Sequence, residues 1–203
     1  MEEPKVIDPI QTFYEEHLDD MIQKHSKVLQ IRFDLRYPNN DNIEVNPKQI
    51  RDFSENITRD LNRNYPLPKD GQIKSPKRIE KGQHKVDPRL IWAEEQHENS
   101  SHPHYHCLAL VNGHAKQNSY DIHKRAERQW ANALGLGNAR GLVDFCDKQG
   151  DSSIMIQRNQ DDFPDQFKAA KQQASYLAKA RGKEAFGNKP CRFGGTRLPK
   201  EKK

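Results

Sequence analysis

The chain has 203 residues, of which 33% are apolar and 31% charged, and it carries a net charge of +5 with a pI near 9.0. This length suits one domain with its own apolar core, and the basic excess favours a polyanionic partner. No stretch approaches the ~18 apolar residues of a membrane span and no signal peptide is visible, so we expect a cytoplasmic protein without a membrane partner.

A helix and a strand are predicted at the start of the chain. Apolar residues at helical spacing predict an amphipathic helix over residues 9–25, which we expect to pack from outside as an N-terminal extension (residues 1–27). Strict alternation predicts a strand over residues 28–37. The two faces of this strand differ in polarity, one carrying Ile31, Phe33 and Leu35 and the other carrying Arg32, Asp34 and Arg36.

The next segment begins as a helix and ends in irregular sequence. Asn46 and Gln49 can form a capping box, and Pro47 suits a first helical turn, so a helix is predicted to follow. Residues 64–88 are rich in proline and lysine without periodicity, which predicts a long loop. Its lysines would suit a phosphate backbone, and a solvated linker explains them equally well.

The rest of the chain supplies further elements. Residues 89–95 and the apolar run 107–111 predict an antiparallel hairpin joined by a histidine-rich turn. Periodicity and turn signals then predict a helix over 122–134, strands at 142–145 and 153–157, a helix from residue 162, and an edge strand with a basic tail in 187–203.

The order of these elements indicates the fold class. From residue 28 onward it is strand, helix, strand, strand, helix, strand, helix. Such an order with a central hairpin predicts an α+β fold of the ferredoxin-like or RNA-recognition (RRM) type. We expect the helices to cover one face of an antiparallel sheet and to leave the other face available.

The histidine-rich turn carries the first chemical signal. His104 and His106 alternate along a strand and therefore project from the same face, where two imidazoles can hold a metal ion. The 3 cysteines lack CxxC spacing, which argues against a thiolate zinc site. For His97, His102 and His114, an ordinary surface role is the favoured interpretation.

The last helix carries the second signal, Tyr176 and Lys179. Residues three apart share a helical face, so the ammonium group of Lys179 can lie near the phenol of Tyr176. A tyrosine oxygen that attacks phosphorus is normally protonated up to pH ~10, and a nearby cation lowers that barrier. Taken alone, such a pair is more often a plain surface contact.

Three segments together resemble a known superfamily. They are residues 29–35, which form the first strand, residues 103–110, which hold His-Tyr-His, and residues 176–179, which hold Tyr-Leu-Ala-Lys. This succession is similar to that of the HUH endonucleases, the rolling-circle replication initiators and relaxases, and it most resembles replication proteins of inovirus-type phages and prophages. The resemblance covers residues 28–199 and leaves 200–203 as a basic tail.

The resemblance implies an HUH endonuclease fold and a metal-dependent reaction. His104, His106 and a third polar ligand would hold Mg²⁺ or Mn²⁺, and Glu95 suits the third position, with Glu94 or Gln96 as alternatives if the strand register shifts. Tyr176 would attack a DNA phosphodiester and form a 5′-phosphotyrosine link with a free 3′-OH. Lys179 would offset charge or orient the phenolate.

The resemblance also implies the partners. The substrate would be single-stranded DNA or an origin hairpin, nicked and rejoined to initiate rolling-circle replication of a phage or mobile element. Arg32, Arg36 and Lys183 would contact DNA, with Asp34 supporting the site. No Walker-type stretch is present, so a host helicase and polymerase would be needed.

Two hypotheses from other classes remain open. A noncatalytic single-stranded nucleic-acid-binding module could use an open sheet with Arg32, Arg36 and Tyr37. A zinc-stabilised interaction protein could instead use four histidines, namely His97, His102, His104 and His106. Arg32 and Asp34 also fit a simple ion pair on a solvated strand face.

Overall fold

The computed structural model describes residues 8–39, 43–63, 84–96, 100–146, 152–178 and 192–198. Its elements, in chain order, are α1 (Asp8–Lys24), β1 (Lys27–Leu35), α2 (Pro47–Arg63), β2 (Arg89–Glu95), β3 (His104–Asn112), α3 (Tyr120–Leu134), β4 (Val143–Asp144), β5 (Ser153–Gln157), α4 (Phe163–Ala178) and β6 (Phe193–Gly195). Each predicted helix and strand is confirmed, with ends shifted by a few residues. Most of the predicted loop over 64–88 and the tail 200–203 lie outside the described residues.

The strands form one antiparallel sheet. Five of them follow the order β4-β1-β3-β2-β6, and β5 pairs with β1 on the same edge as β4. The succession β1-α2-β2-β3-α3-β5 is that of a ferredoxin-like unit. The predicted α+β class with an antiparallel sheet is therefore confirmed.

Helices lie on both faces of this sheet, whereas the sequence predicted them on one. Helices α2 and α3 pack on one face, and α1 and α4 pack on the other. The division is clearest along β3, where Cys107 and Ala109 point towards α2 and α3, while Leu108 and Leu110 point towards α1 and α4. We call these the α2/α3 face and the α1/α4 face.

The polar face of β1 explains the difference from the prediction. Gln30 belongs to this face, but it is fully buried beneath α1 and α4. Its side chain accepts a hydrogen bond of 2.8 Å from the Tyr14 hydroxyl and donates to the Ala170 carbonyl at 3.0 Å and to Gln173 at 2.9 Å. A polar strand residue can thus be covered when helices satisfy its hydrogen bonds.

The helix ends follow the predicted local chemistry. At the start of α2, the Asn46 backbone donates to Gln49 Oε1 at 2.9 Å, and the Lys48 backbone donates to Asn46 Oδ1 at 2.9 Å, as in a capping box. Helix α3 ends at Gly135, whose φ of 70° is left-handed. None of the helices in the described part of the chain has the length and apolarity needed to cross a bilayer.

Strand β6 adds the predicted edge strand next to β2. Gly194 and Gly195 lie against Trp92 and Leu90, so that a Cβ atom at residue 195 would collide with the Leu90 carbonyl oxygen. The backbone of Thr196 continues this contact by donating to the same carbonyl at 2.8 Å. The pair of glycines therefore permits a close approach that other residues would prevent.

Candidate metal centre

The candidate site lies at the end of the α1/α4 face where apolar side chains give way to polar ones. On β3, Leu108 is followed by His106 and His104 towards the start of the strand. On β2, Ala93 is followed by Glu95 on the same face. The hairpin register places Glu95 opposite His104, so the three polar side chains meet.

Glu95, His104 and His106 form a compact group of potential metal ligands, which we call the triad. His104 Nε2 lies 2.8 Å from Glu95 Oε2 and 3.2 Å from His106 Nε2, and His106 Nε2 also contacts Glu95 Oε2. The side chain of His106 is 3% exposed and that of His104 is 21% exposed. Two imidazole nitrogens and one carboxylate oxygen thus converge, an arrangement that can hold a divalent cation.

Strand β1 contributes a second carboxylate, which contacts the far side of His106. Asp34 lies opposite His106 in the register and accepts a hydrogen bond of 2.8 Å from His106 Nδ1. Because Asp34 holds a proton on Nδ1, Nε2 is the nitrogen left for a metal ion, which would displace any proton shared between Nε2 and Glu95. Asp34 therefore orients a ligand and does not belong to the triad itself.

Burial and hydrogen bonding change the proton affinities of these groups. Burial alone raises the pKa of Glu95, but hydrogen bonds from His104 and His106 outweigh it, so this pKa lies well below its usual value. Burial likewise opposes the lowering of the pKa of Asp34 by His106 and Arg32. For His106, burial lowers the pKa, but Asp34 and Glu95 raise it, with a net upward shift. Both carboxyls are therefore ionised at neutral pH.

The two alternative third ligands point elsewhere. Glu94 is 1% exposed on the α2/α3 face and forms an ion pair with Arg192. Burial raises the pKa of Glu94, with a partial offset from Arg192. Gln96 donates a hydrogen bond to the Ser100 carbonyl at 2.6 Å. Glu95 is thus the one of these three residues that joins the two histidines.

Tyr176, in the last turn of α4, lies beside the triad. Its ring meets the His106 ring edge to face, with centroids 5.1 Å apart and planes at 90°. The guanidinium carbon of Arg32 lies 3.6 Å from the centroid of the Tyr176 ring, within cation–π range. The tyrosine is therefore held between a triad histidine and a cation.

Arg32, which lies beside the triad, has unused hydrogen-bonding capacity. Its side chain is 9% exposed, and its ion pair with Asp34 spans 3.9 Å. Its Nε atom is buried without a hydrogen-bond partner among the described residues. A nearly buried guanidinium in this state favours an oxyanion such as a phosphate group.

These side chains line a single open cleft of about 610 Å³. The predicted site residues that line it are Arg32, Asp34, Arg36, Glu95, His104, His106 and Tyr176. Lys179 and Lys183, which were also predicted, lie outside the described residues. The structure thus brings together every predicted site residue that it describes.

Asp144 and Cys146 are charged or titratable residues of the cleft lining that the sequence analysis did not name. Asp144 lies opposite Asp34 in the register and pairs with Arg36 at 3.1 Å. Next to it, burial and the Asp34 carboxylate raise the pKa of the Cys146 thiol to about 12. Strand β4 has only 2 residues, so no sequence pattern marks its pairing with β1.

His102 and His114, the other described histidines named from the sequence, do not join the triad. His102 stacks on Tyr37, with centroids 5.6 Å apart and planes at 21°. His114, in the turn after β3, is exposed and contacts the Ser26 hydroxyl at 3.1 Å. His97 lies outside the described residues. The group that the structure assembles is thus two histidines with a carboxylate.

Comparison with known proteins gives a family match. The model of the YagK/YfjJ C-terminal domain family matches residues 8–195, which includes every residue of the triad and Tyr176. Neither the curated proteins nor the solved structures contain a significant match to the chain.

Proposed function

The chain belongs to the YagK/YfjJ C-terminal domain family, and because the name of this family states no activity, we propose a function from the chemistry of the cleft. The protein is a metal-dependent endonuclease and strand transferase of the HUH type. It nicks and rejoins single-stranded DNA through Tyr176 and so initiates rolling-circle replication of a phage or mobile element.

The observation that carries this proposal is the position of Tyr176. A phenol beside a triad of metal ligands and against the nearly buried Arg32 has what attack on a phosphate needs. It combines a nucleophile, a site for a Lewis acid and a cation that can bind a phosphate oxygen. A tyrosine with only a surface role would have no need of a nearly buried arginine stacked on its ring.

The proposed step exchanges one phosphoester bond for another. Tyr176 Oη forms a bond to phosphorus as the bond to the 3′-oxygen of the preceding nucleotide breaks. The phenol proton passes to water, the departing 3′-oxygen takes a proton from water, and the 5′-phosphate stays on Tyr176. Attack by a free 3′-OH reverses the step and rejoins the strand, so no energy source is consumed.

The triad fits a divalent cation. Glu95, His104 and His106 would hold the ion, and Asp34 would orient His106. When bound, the ion would polarise a non-bridging oxygen of the phosphate as a Lewis acid. Two imidazoles and one carboxylate suit Mn²⁺ better than Mg²⁺, so we favour Mn²⁺ of the two.

The alternative functions have less support. An RRM-like binding module needs an open sheet face, but α1 and α4 cover the face that carries Arg32. A four-histidine zinc site needs His102 close to His104 and His106, but His102 stacks on Tyr37 instead. The cleft chemistry therefore favours catalysis over both.

The test is formation of a covalent adduct. Wild-type protein is incubated with labelled single-stranded DNA of random sequence and Mn²⁺, and then analysed on a denaturing gel. We expect a labelled protein band that disappears in Tyr176→Phe, because this change removes only the attacking oxygen. Mass spectrometry of the digest should locate the nucleotide on Tyr176.

A matched tyrosine provides the control. Tyr120 is 66% exposed on α3, so Tyr120→Phe should leave the adduct unchanged. An adduct that persists in Tyr176→Phe would refute the assigned nucleophile. Absence of any adduct in Mg²⁺ and in Mn²⁺, with DNA binding intact, would favour the noncatalytic module.

A further inference from the structure

A layered group of aromatic rings leads from the core to the wall of the cleft. It consists of Trp130, Tyr37 and His102, and we call it the aromatic column. Trp130 meets Tyr37 edge to face with centroids 5.4 Å apart, and Tyr37 stacks on His102 with centroids 5.6 Å apart. Both distances lie in the range of favourable ring contacts.

The inner part of the aromatic column is held in place by hydrogen bonds. Trp130 is fully buried, and its indole N–H donates to the Arg36 carbonyl at 2.7 Å. The Tyr37 hydroxyl donates to Gln49 Oε1 at 2.9 Å, and Tyr37 is 5% exposed. His102 therefore stacks on the Tyr37 ring, which packing and hydrogen bonding hold in place.

The outer end of the aromatic column faces the cleft. His102 is only partly buried and lines the same cleft as the triad. One face of its ring lies on Tyr37, so the opposite face is the one that a bound molecule can reach. His102 also precedes His104 by two residues, which limits the separation of their Cα atoms to ~7 Å.

We propose that His102, supported by Tyr37, is the stacking site for the nucleobase next to the phosphate bound at the triad. This inference rests on the proposed function, since it assumes that a phosphodiester strand occupies the cleft. Histidine is among the side chains on which unstacked bases lie, and stacking accepts every base because each has a π-face. The aromatic column thus holds the strand in register and gives little sequence preference.

The test separates base contacts from phosphate contacts. Fluorescence anisotropy is used to measure binding of the full chain to a labelled oligothymidylate and to an abasic strand of the same length, both with Mn²⁺. His102→Ala should weaken binding to oligothymidylate by about 5- to 150-fold. It should leave binding to the abasic strand unchanged, and His102→Phe should restore the affinity for oligothymidylate.

A second histidine gives the matched control. His114→Ala changes an exposed imidazole in the turn after β3 and should leave both affinities unchanged. Equal losses on both strands in His102→Ala would overturn the proposal, because His102 would then act on loop structure or on phosphate. Equal affinities of the wild-type protein for the oligothymidylate and the abasic strand would also overturn the proposal.

The adduct assay distinguishes the failure of this inference from the failure of the proposed function. If wild type forms the Tyr176 adduct while His102→Ala shows no base-dependent loss, the stacking site is refuted and the nuclease stands. If wild type binds neither strand and forms no adduct, both proposals fall together.

Discussion

At the scale of single residues, Asp34 determines which nitrogen of His106 faces the triad. Its carboxylate accepts a hydrogen bond of 2.8 Å from His106 Nδ1. Asp34→Asn keeps the size of the side chain but removes its charge, which leaves His106 less basic and less well oriented. We expect Mn²⁺ affinity to fall about 10- to 100-fold, measured by isothermal titration calorimetry.

Asp144 supplies the comparison for this measurement. Asp144→Asn removes a carboxylate from the same cleft, but Asp144 is 48% exposed and pairs with Arg36. Its loss should change Mn²⁺ affinity by much less than the loss of Asp34. Similar losses in both variants would mean that the overall negative charge of the cleft, and not the orientation of His106, governs metal binding.

The sequence predicted individual ligands better than their surroundings. Strand alternation places His104 and His106 on one face, and the hairpin register then selects Glu95 over Glu94. The stacking of Arg32 on Tyr176 was not predictable, because it depends on where α4 crosses β1. Periodicity along one element contains no information about that crossing.

At the scale of elements, α1 is an integral layer of the domain. Leu18 and Met21 are fully buried, and they belong to the same apolar cluster as Leu108 and Leu110 of β3. Leu18→Ala should lower the free energy of unfolding by about 2–5 kcal/mol, because it leaves a cavity between α1 and the sheet. Urea denaturation measures this difference.

An exposed position on the same helix gives the reference value. Gln23→Ala alters a solvent-facing residue and should change the unfolding free energy by less than about 0.5 kcal/mol. If Leu18→Ala is equally neutral, α1 is only loosely attached to the rest of the domain.

The position of α1 illustrates why the layers were harder to predict than the elements. Its apolar stripe predicted a buried helix face without naming the surface that buries it. The uninterrupted apolar run from Cys107 to Val111 did contain a signal, because a strand covered on both sides has no polar face. The polar positions of β1 obscured that signal, since Gln30 is buried by hydrogen bonds to both helices.

At the scale of the whole molecule, the two apolar clusters do not include the triad. Removal of metal with EDTA should therefore leave the protein folded, with an unchanged far-UV circular dichroism spectrum.

The raised pKa of His106 stabilises the folded protein when no metal is bound, because a protonated His106 pairs with Asp34 and Glu95. This contribution to the stability of the folded state is fully present below pH ~6.5, and it is lost as the pH rises through the raised pKa of His106.

Added metal should stabilise this folded protein further. Mn²⁺ at 100 times its dissociation constant should add about 2.7 kcal/mol, seen as a higher melting temperature. Loss of the folded spectrum in EDTA would contradict this expectation and would favour a metal that holds the fold together.

The pairing of β6 with β2 bears on how the protein behaves at high concentration. Without β6, Leu90, Ile91 and Trp92 would present unpaired backbone groups beside apolar side chains, and such edges promote aggregation between molecules. β6 pairs with β2 at Ile91, Trp92 and Ala93. The edge that replaces it is 3 residues long and includes two glycines, which are poor strand formers. We therefore expect this short strand to protect the sheet against edge-to-edge polymerisation.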